Sequence, residues 1–208
     1  MVYVYENLSS YNDALYESHL SSLPEWRRDY ALKYKKSEDR KRSVLAFVLL
    51  REAVKEEFGE AVQEFEYNEF GKPFLKGKSL HFSLSHCKTA VACAVSKSEI
   101  GVDLETVRDF DERITNRVLT PAELKLLESA EDPKELFFKF WTQKEAVSKF
   151  EGVGLGLVLK KLQLSNYLLH SESREDFVLS VCYGKAPKLK ASQPSVPTVI
   201  TVDNNFIG

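Results

Sequence analysis

The sequence predicts an α+β fold built from two similar halves of about a hundred residues each, and three observations carry that expectation. Helical and strand patterns follow one another in blocks, in the order helices, strands, helices, strands. The first strand block ends near Glu105, in the middle of the chain, so the expected units are residues 1–105 and 106–208. The composition supports folded cores in both: of 208 residues, 43% are apolar and 12% aromatic, too rich for a disordered chain.

The elements follow in order. A short helix is expected at about Pro24 to Lys36, and a long one after it. Ser37 suits an N-cap, Glu38 and Asp39 suit the positive end of a helix dipole, and good helix formers run to Phe58 before Gly59 ends them. Val44, Leu45, Val48, Leu49 and Ala53 recur at helical spacing and mark its core face. From Gly71 to Glu105 the period changes to two. Leu80, Phe82 and Leu84 alternate with His81, Ser83 and Ser85, Ala90 to Val95 are small or β-branched, and Ile100, Val102 and Leu104 alternate with Gly101, Asp103 and Glu105. Three strands fit, the first two joined by a tight turn. Thr120, Pro121 and Glu123 then form a cap, first-turn proline and capping-box acid, and Asp132, Pro133 and Glu135 repeat the device for a helix running to about Lys149. The glycines at 152, 154 and 156 follow that helix instead of opening one, so they read as a stop and not as a phosphate loop. Strands are expected beyond them at Leu159–Leu164, Phe177–Tyr183 and Thr198–Val202.

Charge and cysteine content narrow the function classes. The net charge of −2 argues against a dedicated nucleic-acid binder, yet Arg27 to Arg42 holds eight basic and three acidic residues. A local basic face on a near-neutral protein suits a phosphate-bearing small molecule or an acidic partner. Cys87, Cys93 and Cys182 form no CxxC pair and have no histidine cluster beside them, so they read as reduced thiols and zinc is not expected. The longest apolar run, Val44 to Leu50, is too short to span a bilayer, and Met1 to Ser10 lacks the features of a signal peptide. A cytosolic protein without membrane contact is expected.

Two places carry chemistry. Asp103 and Glu105 lie two apart on a strand, which projects both carboxylates from one face about 7 Å apart, an arrangement suited to Mg²⁺. Read alone, an Asp-x-Glu pair is weak evidence for a metal and is more often a strand end with two solvated acids. On the helix from Pro133, spacing places Leu136, Phe140, Val147 and Phe150 in a core arc, with Glu145 opposite and Lys149, Trp141 and Phe138 beside it. Two large aromatics on that stripe imply a second buried surface, which would set Glu145 in a cleft.

The strand Ile100-Gly101-Val102-Asp103-Leu104-Glu105 and the later Phe140-Trp141-Thr142-Gln143-Lys144-Glu145-Ala146-Val147-Ser148-Lys149 closely resemble the two signature motifs of 4′-phosphopantetheinyl transferases. Gly71-Lys72-Pro73 and Phe82-Ser83-Leu84-Ser85-His86 resemble the further motifs of the larger, Sfp-type branch. The resemblance is strong from Gly71 to Gly154 and weaker back to Pro24; Cys87 and Ser148 depart from it. It implies a monomeric pseudodimer, two α+β halves about a pseudo-twofold, with coenzyme A in the cleft between them. It further implies Mg²⁺ on Asp103, Glu105 and Glu145, pyrophosphate or nucleotide phosphates on Lys144 and Lys149, and the rest of coenzyme A on Arg42, Lys72, Ser85 and His86. The implied partner is an apo acyl or peptidyl carrier protein, whose serine attacks the β-phosphorus. Glu145 is the first candidate for proton acceptor and Glu123 the second. Two other functions use the same residues: a non-catalytic coenzyme A binding module, and a Mg²⁺-dependent hydrolase of the coenzyme A pyrophosphate.

Overall fold

A computed structural model describes residues 1–75, 80–154, 159–187 and 194–208. In chain order the elements are β1 (Val2–Tyr5), α1 (Asp13–Ser22), α2 (Glu25–Leu32), α3 (Ser37–Phe58), β2 (Phe65–Tyr67), β3 (Pro73–Leu75), β4 (His81–His86), β5 (Val91–Ser96), β6 (Gly101–Thr106), α4 (Glu112–Val118), α5 (Pro121–Glu128), α6 (Pro133–Glu151), β7 (Tyr167–Ser173), β8 (Phe177–Lys185), β9 (Val199–Val202) and α7 (Asn204–Ile207). The architecture is α+β. Among the described residues no helix is long and apolar enough to cross a membrane, and the three cysteines are free and buried.

Helix ends follow the local chemistry of the sequence. Gly59 takes φ +65° at the end of α3 and donates its N–H to Lys55 O at 2.9 Å, a left-handed cap that glycine adopts without Cβ strain. The cap before α3 is Lys36 and not Ser37, which is already helical. Thr120 and Glu123 close the expected capping box on α5, and Asp132 accepts from Glu135 N at 3.0 Å at the start of α6.

Strand alternation sorts the core into layers. In β5, Val91, Cys93 and Val95 join the apolar face of α3, while Ala92 and Ala94 point the other way, onto Val102, Leu104, Leu179 and Val181 of β6 and β8. In β8 the alternate positions Val178 and Cys182 face α6 instead. The order of layers is therefore α3, a four-stranded sheet β4-β5-β1-β9, a three-stranded sheet β6-β8-β7, and α6. Small alanines at the sheet-to-sheet contact bring the two sheets close.

Three expectations change. β6 follows β4 and β5 in sequence but pairs with β8, not with them. Its edge toward β4 is met by serine hydroxyls: Val102 N donates to Ser83 Oγ at 3.0 Å and Leu104 N to Ser85 Oγ at 3.4 Å. The strand expected at Leu159–Leu164 is instead a pair of 3₁₀ turns, Leu159–Lys161 and Leu164–Asn166, with the strand following at β7. Finally, β9 runs parallel to β1 and α7 packs on α3, so the last ten residues, assigned by the sequence to the second half, lie with the first. Gly156 lies outside the described residues.

Candidate active site

The site forms where α6 crosses β6 and faces the end of β4. Gly101 sets that crossing. A Cβ there would lie 2.0 Å from Ala146 O and 2.6 Å from Phe150 N, so only glycine lets the helix backbone settle on the strand. Two residues on, Asp103 presents its carboxylate to α6 on the same face.

Asp103 is buried. Its Oδ1 accepts from Ser85 Oγ at 2.7 Å and from Lys149 Nζ at 2.8 Å, while Oδ2 is buried without a hydrogen-bond partner. Lys149 also donates to Leu84 O at 3.2 Å and stays about one third exposed (31%). Glu145, 4% exposed, has its Oε1 buried and unpartnered. Burial first, and then the charge of Asp103, push its carboxyl up to about 7 against the opposing pull of Lys149, with Glu105 adding a smaller upward push. Two buried carboxylates thus lie close to one ammonium, which bonds Asp103 and acts on Glu145 only through its charge, and each keeps an oxygen without a donor. Such oxygens are expensive to bury unless a cation or proton meets them. Hard oxygen donors of this kind fit a divalent ion such as Mg²⁺.

Glu105 is placed differently from Asp103 and Glu145. Its carboxylate pairs with Arg108 at 3.0 Å, and the Arg108 guanidinium lies 5.0 Å from the centre of the Phe138 ring. Among the described residues, no three acidic, histidine or cysteine side chains converge to hold a metal ion. Lys149 and Arg108 supply the positive charge on the two strand acids in this arrangement.

A cavity of about 360 Å³ opens beside these groups. Gly71, Lys72 and Leu84 wall it from the first half, and Glu145, Ser148 and Lys149 from α6. Ser148 donates to Gly154 O at 2.9 Å. The expected core arc of α6 also shifts: Leu136, Phe140 and Phe150 are only half-buried, whereas Lys144 to Ser148 are buried without interruption. The helix is covered on one side by β6 and β8 and on the other by the first half and the α4–α5 corner, so no face stays wet at that level.

Lys144 and Glu123 need correction. Lys144 is fully buried, and its ammonium donates to Val118 O and Leu159 O, both at 2.9 Å, and pairs with Glu123 Oε2 at 2.7 Å. Glu123 Oε2 also accepts from Thr120 N at 2.7 Å in the capping box. Both groups are consumed by structure and line no cavity wall described above, so neither a phosphate contact for Lys144 nor proton acceptance by Glu123 fits their placement. Lys72 lines the cavity, but its ammonium turns to Glu99 at 2.7 Å and Phe150 O at 3.1 Å. Ser85 is spent on supporting Asp103.

The model of the 4′-phosphopantetheinyl transferase superfamily matches residues 99–186, the stretch that holds Asp103, Glu145 and Lys149. The chain belongs to that superfamily. It is 28% identical over 203 residues to the 4′-phosphopantetheinyl transferase Sfp of Bacillus subtilis (strain 168), covering 89% of each chain. It is 33% identical over 122 residues to the 4′-phosphopantetheinyl transferase psf-1 of Bacillus pumilus, covering 56% of this chain and 52% of that one. With the 4′-phosphopantetheinyl transferase HetI of Nostoc it shares 38% identity over 101 residues, 44% of this chain and 43% of the other. The chain is thus a phosphopantetheinyl transferase.

Outside the matched stretch the transferase has a second cavity, of about 240 Å³, lined by Arg27, Tyr30, Tyr34 and His86. His86 sits at the end of β4. His86 is exposed to solvent at that strand end, yet partial loss of water against the crevice wall, then the charges of Arg42 and Lys149, hold its pKa below the usual histidine value, so the ring is neutral at neutral pH. Arg42 is paired with Asp39. Arg27 was legible only as part of a charge excess. It is buried, its Nη2 donates to Ser43 O at 2.6 Å and Ser43 Oγ at 2.9 Å, and its Nε has no partner. Tyr30 and Phe47 present their rings to the guanidinium at 4.7 and 5.3 Å. Among the described residues it has no carboxylate partner. The alternation of Arg27 with Tyr30 and Tyr34 at helical spacing was the available signal.

Proposed function

We propose that this transferase moves the 4′-phosphopantetheine arm of coenzyme A onto a serine of an apo carrier protein, with Mg²⁺ as cofactor and adenosine 3′,5′-bisphosphate as the second product. The observation that carries the reading is the pair Asp103 and Glu145, each with a buried oxygen lacking a donor, beside Lys149 on a 360 Å³ cavity. The halves that face each other across it are the residues before β6, joined by the C-terminal tail, and β6 with the rest of the chain, in the pseudo-twofold arrangement that the family resemblance implies.

Asp103 and Glu145 would hold the ion, with Glu105 as third ligand once released from Arg108. When bound, Mg²⁺ supplies charge neutralisation for the pyrophosphate. The chain does the rest. Lys149, fixed by Leu84 O and Asp103, offers a preset ammonium to oxygens that gain negative charge as the pyrophosphate bond breaks, so it favours the transition state over the ground state. The serine oxygen bonds to the β-phosphorus and the bond to the bridging oxygen breaks. The serine proton passes to Glu145, directly or through a water. At the second cavity Arg27 and neutral His86, with the charge of Arg42 near His86, would receive the nucleotide phosphates. Glu105 and Arg42 must each exchange an internal partner for the ligand, which lowers the net gain from each contact.

The test is incubation with a panel of apo carrier proteins, coenzyme A and Mg²⁺, read by intact mass for the added phosphopantetheine. Mass gain on at least one carrier is expected, and its loss with Glu145→Gln. Absence of any gain across the panel overturns the reading.

A further inference from the structure

We infer that Asn68 is a positioning residue for the transfer: it clamps the turn 68–72 onto the C-terminal end of α6 and so fixes the separation of the two cavity walls. The inference rests on the reading that the cavity receives coenzyme A. Asn68 uses both ends of its amide. Oδ1 accepts from Phe70 N at 3.0 Å and Lys72 N at 2.8 Å, which folds the turn, and Gly71 within it takes φ +83°. Nδ2 reaches across to Gly152 O at 2.9 Å, a residue 84 positions away. Lys72 Nζ makes a parallel bond to Phe150 O. Both carbonyls belong to the end of α6, where no further helical N–H follows to pair them, so the turn acts as the cap of a helix from the other half.

The fit leaves no slack. A Cβ on Gly152 would lie 3.0 Å from Asn68 Nδ2 and 3.0 Å from Lys72 Cδ. Because Phe70, Gly71 and Lys72 form one wall and Ser148 and Lys149 the other, the clamp sets how a ligand meets Lys149. Asn68 itself stands behind the wall and does not line that cavity.

Asn68→Asp separates the two tasks. The carboxylate retains the acceptor that folds the turn, but the donor to Gly152 O is replaced by a negative oxygen facing a carbonyl at the negative end of a helix. The expected result is a KM for coenzyme A raised about tenfold, the effect of one lost bond plus repulsion, with kcat changed less than about twofold. Peptides covering residues 65–75 should exchange amide hydrogens faster while the remainder of the chain does not. Unchanged exchange overturns the clamp, and faster exchange with unchanged KM overturns its positioning role in the transfer. Should Asn68→Asp fail to fold, Asn68→Ser keeps an oxygen for the turn, loses the reach to Gly152, and is read in the same way. If the wild type modifies no carrier and binds no coenzyme A, the proposed function fails, and exchange at 65–75 alone then decides whether the clamp exists.

Discussion

At the scale of single residues, Glu145 couples chemistry to stability. Its folded-state carboxyl sits at about 7 against an ordinary value of 4.5, so the folded protein holds this proton more tightly than the unfolded chain does. Stability is therefore highest below pH 4.5 for this group and declines as pH rises through 7, by a difference on the order of 3 kcal/mol. Glu145→Gln should remove that decline. Above pH 7, without divalent ion, the variant should melt several degrees higher than wild type, and the gap should close toward pH 5. Saturating Mg²⁺ should raise the wild type alone. A gap that ignores pH would show that Glu145 is not buried with a costly charge. The two lysines of the same helix should behave in opposite ways. Lys144→Met leaves the Glu123 carboxylate without its charge partner and two carbonyls without their donor, a loss of roughly 3 to 5 kcal/mol, whereas Lys149→Ala should abolish carrier modification with a much smaller change in melting temperature. The motif shows both as lysines, one and five positions from the ends of the same stretch; burial at Val118 and Leu159, which only the tertiary structure supplies, separates a structural ammonium from a chemical one.

At the scale of elements, the close contact of α6 with β6 turns one methyl group into a test. Gly101→Ala places a carbon where Ala146 O and Phe150 N already lie. Rigid backbone cannot yield as a side chain would, so the helix must lift. We expect a stability loss of about 3 kcal/mol or more and a fall in kcat beyond tenfold, because the gap between Asp103 and Glu145 widens. A variant that keeps both values would mean that strand and helix slide freely. This contact also shows what a single chain of letters reveals. The α3, α5 and α6 boundaries were legible because caps, first-turn acids and a closing glycine act locally. β4, β5 and β6 were legible because one face is apolar and the other polar. The sheet to which β6 belongs was not, since Ser83 and Ser85 replace a ladder with side-chain bonds. β1 is buried on every residue and so carries no alternation. In β7 a register shift between Leu168 and Leu169 breaks the period, and every residue but the last is half-buried. Of the site, the pairing of Asp103 with Glu145 and Lys149 was legible through the family resemblance, while the buried Arg27 and the clamp at Asn68 depend on contacts between segments far apart in sequence.

At the scale of the whole molecule, the chain is tied back on itself, and that closure governs whether the site persists. β9 pairs in parallel with β1 over four positions, from Val2 with Val199 to Tyr5 with Val202. Beyond it Phe206 stacks on Tyr3 at 4.9 Å, Asn204 bonds the Tyr5 hydroxyl, and Ile207 is buried against α3. On the far side of the same strand, Val2 and Val4 belong to the core that joins the two sheets. Ending the chain after residue 198 therefore acts in two ways. It strips the edge of β1, leaving unpaired N–H and C=O groups open to other chains, and it loosens a strand that the second sheet leans on. Burial of Ile207 and of part of Phe206 contributes roughly 3 to 4 kcal/mol, which for a chain of this size corresponds to a fall in melting temperature on the order of 10 °C. Carrier modification should fall with the folded fraction at 37 °C and recover at low temperature, since no residue of the tail reaches Asp103, Glu145 or Lys149. Differential scanning calorimetry with turnover measured at both temperatures checks this. A truncated chain that melts like wild type would show the first sheet to be self-sufficient, and one that stays folded yet inactive in the cold would place the tail in the chemistry itself.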